Sequence, residues 1–467
     1  MQLATNNTQD NLMKIIPFHD IVLWDVKRYS SKKIQSEYPI VKLGSCIQEQ
    51  SHRSKLSDYP ENEFGILGVS NKIGIFDAYK EKGININQPY KKMENGWLAY
   101  NPYRINVGSI GMKTSSQEFD FISPAYVVFS CNEKLLPDFL YKLFKTERFC
   151  QIINENTTGS VRQNLTFEVL KSLNIPLPPI NRDLADRGFL GQTQEELLKS
   201  YYSKIEEAKT QDKDADDKER EINTYLLDVL EVKIEKNARQ NGISFTKYRF
   251  IDRWATDYLF NANSMKGIVD AKYPVLKVKK FLSSFQYGLS LKATEEPIGT
   301  PMLRMNNIVN SELDIADLKY IKIEQSQKEK LLLKKGDLLF NRTNSKELVG
   351  KTAVFELDAE YTFASYLIRL KLDTNKVNPH YINYLLNSPI GRVQIDRVSR
   401  QVLGQANVNA QELQDFIFPI PDDITIQNDI VQKISGIKKE ANELRYKANY
   451  NRKKAINEFE QAIFKEL

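Results

Sequence analysis

Cysteine and histidine are both scarce, three of each in 467 residues. Cys46, Cys131 and Cys150 are odd in number, well separated and confined to the first half. That spacing argues against a disulfide framework and a zinc site, and for the reducing cytoplasm. His19, His52 and His380 are scattered, and none has a metal-ligand neighbour at helical spacing. Long apolar runs are missing as well. None approaches the ~18 residues needed to cross a bilayer, so no membrane partner is expected. The first twenty residues are polar, with Asn6, Asn7, Gln9, Asp10 and Asn11, which argues against a signal peptide. What is there is ordinary soluble protein: 41% hydrophobic residues, mean hydropathy -0.47, and room for two to four domains.

The chain repeats itself once. Gly96-Trp97-Leu98-Ala99-Tyr100-Asn101 recurs as Gly336-Asp337-Leu338-Leu339-Phe340-Asn341. Ala125-Tyr126-Val127 recurs as Ser365-Tyr366-Leu367, with the Asn and the Tyr 25 residues apart in both copies. Asn164, Leu170, Pro176 and Pro178 recur as Asn407, Leu413, Pro419 and Pro421, and Tyr38-Pro39-Ile40-Val41-Lys42 as Tyr273-Pro274-Val275-Leu276-Lys277. The offset drifts only from 235 to 243. A period this long means two copies of one domain rather than a solenoid.

Each copy is followed by a stretch nearly free of Gly and Pro. Over residues 192–236, Leu197, Tyr201, Ile205 and Ala208, then Ile222, Leu226 and Val229, form an amphipathic stripe. In the last stretch Ile430, Ile434, Ile437, Ala441, Leu444 and Ala448 alternate by four and three, a coiled-coil seam, which Asn451 and Ala455 weaken and Phe459 and Ile463 close. Neither helix is stable alone at that length, so the two are expected to pair antiparallel. The expected class is α/β (of the α+β kind): two similar globular domains joined by two long antiparallel coiled-coil helices, with pseudo-two-fold symmetry. The boundaries are 1–190 and 248–425 for the domains, 191–247 and 426–467 for the spacer helices. Within the first domain, residues 136–149 have helical spacing, as does the counterpart starting at Pro379. The net charge of +6 is uneven: −5 over residues 192–236 and +3 over 426–467, leaving +8 on the rest. Basic domains on an acidic strut suggest that the domains face a polyanion.

Several motifs tempt and fail. Gly350-Lys351-Thr352 resembles the end of a phosphate loop, but Ser345 stands where that loop needs glycine. Gly111-Met112-Lys113-Thr114 lies at nearly the same place in the first copy, so both read as a repeated structural turn. Asn101-Pro102-Tyr103 lacks the second proline of an adenine methyltransferase pocket, and no Gly-rich turn for S-adenosylmethionine precedes it. Asp216 or Asp217 with Glu231-Val232-Lys233 would sit turns apart on a helix, a solvated face rather than a metal site. No catalytic residues, metal ligands or cofactor are therefore assigned to this chain.

What remains is polar and basic residues in loops. In the first domain these are Arg53, Lys55, Lys72, Lys91, Lys92, Arg104 and Lys113; in the second, Lys292, Arg304, Asn306, Asn307, Arg342, Asn344 and Lys346. Arginine pairs bidentately with guanine, Asn and Gln with adenine, and lysine holds phosphates. Arg162-Gln163-Asn164 and Gln405-Ala406-Asn407 are retained by the duplication; they are either base readers or a capping turn before Leu170 and Leu413.

The order of these elements resembles the specificity subunit of type I restriction–modification enzymes. The resemblance rests on the segments at 96–101 and 336–341, on Val349-Gly350-Lys351, and on Gly159-Ser160-Val161-Arg162-Gln163-Asn164 leading to Ile175-Pro176-Leu177-Pro178. Its counterpart over 404–421 and the helix after each copy complete it. It implies double-stranded DNA as ligand, with each domain reading one half of a split sequence and the helices setting the gap. It also implies two methyltransferase subunits and motor–nuclease restriction subunits as partners, which would hold the S-adenosylmethionine, ATP and Mg. Related recognition subunits of type II-like systems, or a coiled-coil scaffold that binds no DNA, are the alternatives. The family usually places Glu-Gln soon after the Pro-rich exit. Here the second copy has Ile426-Gln427, and the first inserts residues 181–191 before Gln192. The two domains differ in loop sequence, which implies two different half-sites.

Overall fold

The computed structural model describes residues 34–105, 108–157, 164–186, 188–234, 262–402 and 404–465. The chain forms two compact units, Met1–Asp212 with Tyr446–Leu467, and Lys213–Arg445. Both mix helices and strands, and each is built around a sheet of the same topology. In the first unit the strand order is Ile47–Glu49, Val127–Cys131, Leu98–Tyr100, Ile110–Met112. In the second it is Leu282–Tyr287, Leu367–Leu372, Leu338–Asn341, Thr352–Val354. Neighbouring strands are antiparallel throughout. A two-stranded ribbon recurs with its register intact: Ile40 faces Pro176, and Val275 faces Pro419.

The repeated Gly-x-Leu-x-aromatic-Asn segment is explained by this sheet. Side chains alternate across a strand. Leu98 and Tyr100 enter the core that holds Phe129, Phe139 and Phe149, while Ala99 faces the opposite layer with Leu67, Met93 and Val128. Leu338 and Phe340 divide from Leu339 in the same way. Both faces are buried, so the three residues before the Asn are apolar in both copies, Leu98 to Tyr100 and Leu338 to Phe340. The glycines open the strand in a tight turn: Gly96 and Gly336 have φ of 85° and 84°, and their N–H groups donate to Lys113 O and Phe355 O at 2.8 and 2.9 Å. A side chain at that φ is strained.

Three local expectations need correction. Residues 136–149 are not one helix but the helix Pro137–Leu143 and the start of Glu147–Asn156. Thr146 divides them, its hydroxyl accepting the Phe149 N–H at 3.3 Å as an N-cap. The matched tyrosines are not equivalent. Tyr100 faces Val127, but Phe340 faces Ile368, a slip of one residue that leaves Tyr366 48% exposed while Tyr126 packs on a core cluster. Finally, Gly111 lies in a strand, and the turn glycine equivalent to Gly350 is Gly108 (φ 81° and 89°).

The two long helices run Gln194–Val229 and Ile424–Ile463. The first stops short of residue 236, and 235–261 lie outside the described residues. Its end is a Schellman motif: Glu231 N–H reaches Asp228 O and Val232 N–H reaches Leu227 O, at 3.1 and 2.9 Å, with Glu231 at φ 51° where glycine is the usual occupant. Glu231→Gly should therefore raise the stability of the second unit by about 1 kcal/mol, less the exposed Lys272 pair at 3.5 Å; the melting temperature checks this.

The helices repeat at an offset of 233. Gln194 and Gln427, Ala208 and Ala441, Ala215 and Ala448 are buried at matching positions. In the first unit Leu197, Phe459 and Ile463 join the domain core, and Phe459 lies against Phe139 and Tyr201. In the second unit Leu226, Leu230, Ile430 and Ile434 do so. Each helix thus serves both as a partner of the other and as a wall of a domain, which is how such long polar helices are held.

Candidate nucleic-acid interface

One joint recurs in both units: the loop that leaves the central strand after Asn101 or Asn341. In the second unit Asn341 is fully buried. Its carbonyl accepts the Gly350 N–H at 2.8 Å, its N–H donates to Lys351 O at 2.9 Å, and its Nδ2 donates to Leu348 O at 3.3 Å. The turn around Gly350 is thereby spent on the chain's own backbone. Thr352, the last residue of the phosphate-loop lookalike, is buried with its hydroxyl on Asn383 Oδ1 at 2.7 Å.

This anchoring presents Arg342. Its N–H donates to Tyr366 O and its carbonyl accepts the Val408 N–H, at 2.9 and 3.0 Å. The guanidinium lies 4.7 Å from the Tyr287 ring centroid, a cation–π platform, and Nη2 reaches Asn407 Oδ1 at 3.5 Å. Its Nε is buried and has no hydrogen-bond partner among the described residues. The chain continues as the strand Thr343–Asn344, which pairs with Gln405–Asn407, and that strand with Arg400–Val402. Gln405 is exposed and Asn344 half-buried, and Asn407 Nδ2 bonds Thr343 Oγ1 at 3.0 Å. Lys346 follows in the same loop. The fold thus gathers Arg342, Asn344, Lys346 and Gln405 on one short ribbon and its turn, a polar, basic edge of the kind that meets base edges and phosphates.

The first unit repeats the joint. Leu165 N–H donates to Pro102 O at 3.0 Å, as Val408 does to Arg342, so the segment after Gln163 returns beside the loop 101–104. Arg162 and Gln163 themselves lie outside the described residues. Arg104 is exposed in that loop, its carbonyl accepting Ser109 N–H at 3.1 Å. The hairpin between Glu63–Ser70 and Gly74–Lys82 brings its tip, with exposed Lys72, against the same loop; a Cβ on Gly108 would stand 4.0 Å from Asn71 Cβ. Neither Asn164 nor Asn407 caps the following helix. That role falls two residues later, to Thr166 and Asn409, whose side chains accept the Val169 and Glu412 N–H groups at 3.3 and 2.8 Å.

Other sequence candidates go elsewhere. Lys91 and Lys113 are buried: the Lys91 ammonium donates to Tyr126 O at 2.9 Å, burial lowers its pKa, and Lys113 is paired with Asp120. They hold the domain together: Lys91 is the inward-facing residue of the strand Tyr90–Lys92, whose Lys92 faces out, and Lys113 follows the strand Ile110–Met112. Arg304 is drawn onto Asp317 at 2.9 Å, in a turn that buried Asn307 braces through Asp314 O and Asp317 O. Lys55 pairs with Asp58 at 3.3 Å. Arg53, Lys92, Lys292 and Asn306 are exposed but are not on the ribbon or the loop 101–104. Two residues of consequence escaped the sequence reading. Tyr287, the platform under Arg342, ends a strand with nothing in its neighbours to mark it. Gln194, not Gln192, is the counterpart of Gln427; the insertion 181–191 hid it.

Both glutamines are fully buried and make the same three bonds. Gln427 Oε1 accepts the Asn378 N–H at 2.9 Å, while Nε2 donates to Lys376 O and Pro421 O at 3.0 and 2.9 Å. Gln194 does this for Leu136 N–H, Lys134 O and Pro178 O at 2.8, 3.0 and 2.8 Å. Each locks the start of a long helix to the Pro-rich exit and to the start of the helix that opens with Pro137 or Pro379.

The family model for the type I restriction modification DNA specificity domain matches residues 99–215 and 282–450, one stretch in each half of the chain. A putative type I restriction enzyme MjaX specificity subunit of Methanocaldococcus jannaschii is 30% identical over 157 residues, 33% of this chain and 37% of the relative. The type I restriction enzyme EcoKI specificity subunit of Escherichia coli is 26% identical over 191 residues, 40% of each chain. The matched stretches thus span about 40% of these relatives' length. A solved chain described under the structural basis of complex assembly and conformational transition of the type I R-M system superposes with TM-score 0.53 at 14% identity, covering 94% of this chain and 100% of that one. The likeness at that identity is one of fold.

Proposed function

Because the chain belongs to the type I restriction modification DNA specificity domain family, with a match in each half, we propose that it is the specificity subunit of such a system. It reads a bipartite double-stranded DNA target and directs methyltransferase and restriction subunits to it. The observation that carries this reading is the duplicated joint beside Asn101 and Asn341, which offers a basic edge in both units, amide-rich in the second. The edges differ, Lys72 and Arg104 in one and Arg342, Asn344 and Gln405 in the other, which supports two unlike half-sites. The long helices, antiparallel and related by approximate two-fold symmetry, act as the spacer that fixes the gap. Catalysis, with S-adenosylmethionine, ATP and Mg, belongs to the partner subunits, and a cytoplasmic location follows from that work. Among the described residues, no helix is long and apolar enough to cross a membrane.

Mapping N6-methyladenine across the genome of a host that carries this chain and active methyltransferase subunits tests the reading. The expected result is a split motif with a fixed gap. Arg342→Ala should relax or erase one half only, by about 5- to 150-fold in affinity for a lost bidentate contact of ~1–3 kcal/mol. An unbroken motif, or methylation indifferent to this chain, contradicts the reading.

A further inference from the structure

The buried positions of the two long helices match at the 233 offset, yet their charges do not. Asp212 and Glu219 on the first helix occupy the places that Arg445 and Arg452 occupy on the second. Within each unit the opposite charges meet. Arg452 pairs with Asp212 in the first; Arg445 pairs with Glu219 at 2.6 Å and Asp216 at 3.1 Å in the second. These groups are partly shielded, Arg445 being 26% exposed and Arg452 40%.

The matching apolar positions create a problem that this charge arrangement answers. Since Ala208 and Ala441, Ala215 and Ala448 are interchangeable in size and place, the apolar seam around them does not distinguish the first helix pairing with the second from the first helix pairing with its counterpart in another copy of the chain. The charges do. Two first helices laid antiparallel would set Asp212 against Glu219 twice over, and Asp212 against Asp216. Two second helices would set Arg445 against Arg452, again twice. Lys218 works partly the other way. It pairs with Glu440 at 2.9 Å within the chain, and Glu207 stands at the matching place on its own helix, so that contact is neutral to the choice. We propose that the segregation of acid on the first helix and arginine on the second is a pairing code that selects partnership within one chain over helix exchange between two chains. The inference does not depend on what the domains bind.

Two full-length variants separate this code from mere stabilisation. In the quadruple variant Asp212→Arg, Glu219→Arg, Arg445→Glu, Arg452→Glu the charges at these four places are exchanged between helices, so the within-chain Arg–carboxylate contacts at 212–452 and 219–445 remain attractive; the contact at 216–445 turns repulsive in both variants alike and cancels in their comparison. In the double variant Asp212→Arg, Arg445→Glu those two contacts become repulsive, while pairing between copies becomes attractive at the same sites. Sedimentation velocity over a concentration series should find the quadruple variant monomeric to the same extent as the parent chain. The double variant should dimerise at least about tenfold more strongly, since each exposed or half-exposed pair is worth ~0.2–1 kcal/mol and its sign changes at several contacts. The extra association should fade in high salt. Two differently tagged copies of the double variant should co-purify when co-expressed, and those of the quadruple variant should not. A double variant that is no more dimeric than the quadruple, or is simply less stable without exchange, overturns the proposal. So does a quadruple variant that dimerises.

Discussion

Replacing Gln427 by leucine should destabilise the second unit by roughly 3–6 kcal/mol. The side chain is fully buried, and leucine fills much of its volume without its three hydrogen bonds. The Asn378 N–H and the Lys376 and Pro421 carbonyls would each be left without their glutamine partner, at about 1–3 kcal/mol for each buried group stripped of a partner. Water entering at the helix start would recover part of this, which keeps the upper figure below the full sum for three groups. Calorimetry on the full-length protein should show the loss in the transition that Gln427 belongs to. Gln194→Leu should do the same for the first unit, since its three contacts are the same. A change under about 1 kcal/mol in both would mean that the helix starts are held by apolar contact alone.

Gly111→Ala should cost the first unit about 3 kcal/mol and disturb its proposed DNA edge as well. A Cβ there would stand 2.3 Å from Ile75 N and 2.7 Å from Gly74 C. Both are backbone atoms and have no rotamer to yield, so either the strand Ile110–Met112 or the hairpin must shift, at the upper end of the cost of overpacking. The tip of the hairpin bears Lys72 beside the loop of Arg104, which itself leads into that strand, so a shift of either moves the two apart. The expected signature is therefore double: a lowered melting temperature, and weakened recognition of one half-site with the other intact. Gly108→Ala, at φ 81°, strains the turn without that collision and should cost less, about 1–2 kcal/mol.

How much of this was readable from the residues differs by element. The central strand was legible because its demands are local: glycine where φ must be positive, two large apolar residues two apart, an Asn to close. The long helices were legible because 3.6-residue periodicity survives any loop. Their ends were less so. Asp228 to Val232 carries no glycine to mark the stop that the backbone makes there, and residues 181–191 shifted attention from Gln194 to Gln192. The basic residues were the least legible. Lys91 and Arg104 look alike in sequence, yet one ammonium is buried on a carbonyl and the other side chain lies open; which occurs depends on the layer above, and that layer is formed by chain tens of residues away. Arg342 was among the candidates, but Tyr287 beneath it comes from a strand 55 positions earlier and has no local signal.

The glutamine joints give the helices angular memory. A rod hinged loosely to its head could be lengthened residue by residue with only a change of reach. Here the first turn of each rod is pinned at three backbone points. Every inserted residue therefore rotates the remainder of the rod by about 100° as it advances it by ~1.5 Å. Length variants of this protein that keep their heads in phase should accordingly come in steps of three or four residues, and one- or two-residue insertions should be rare.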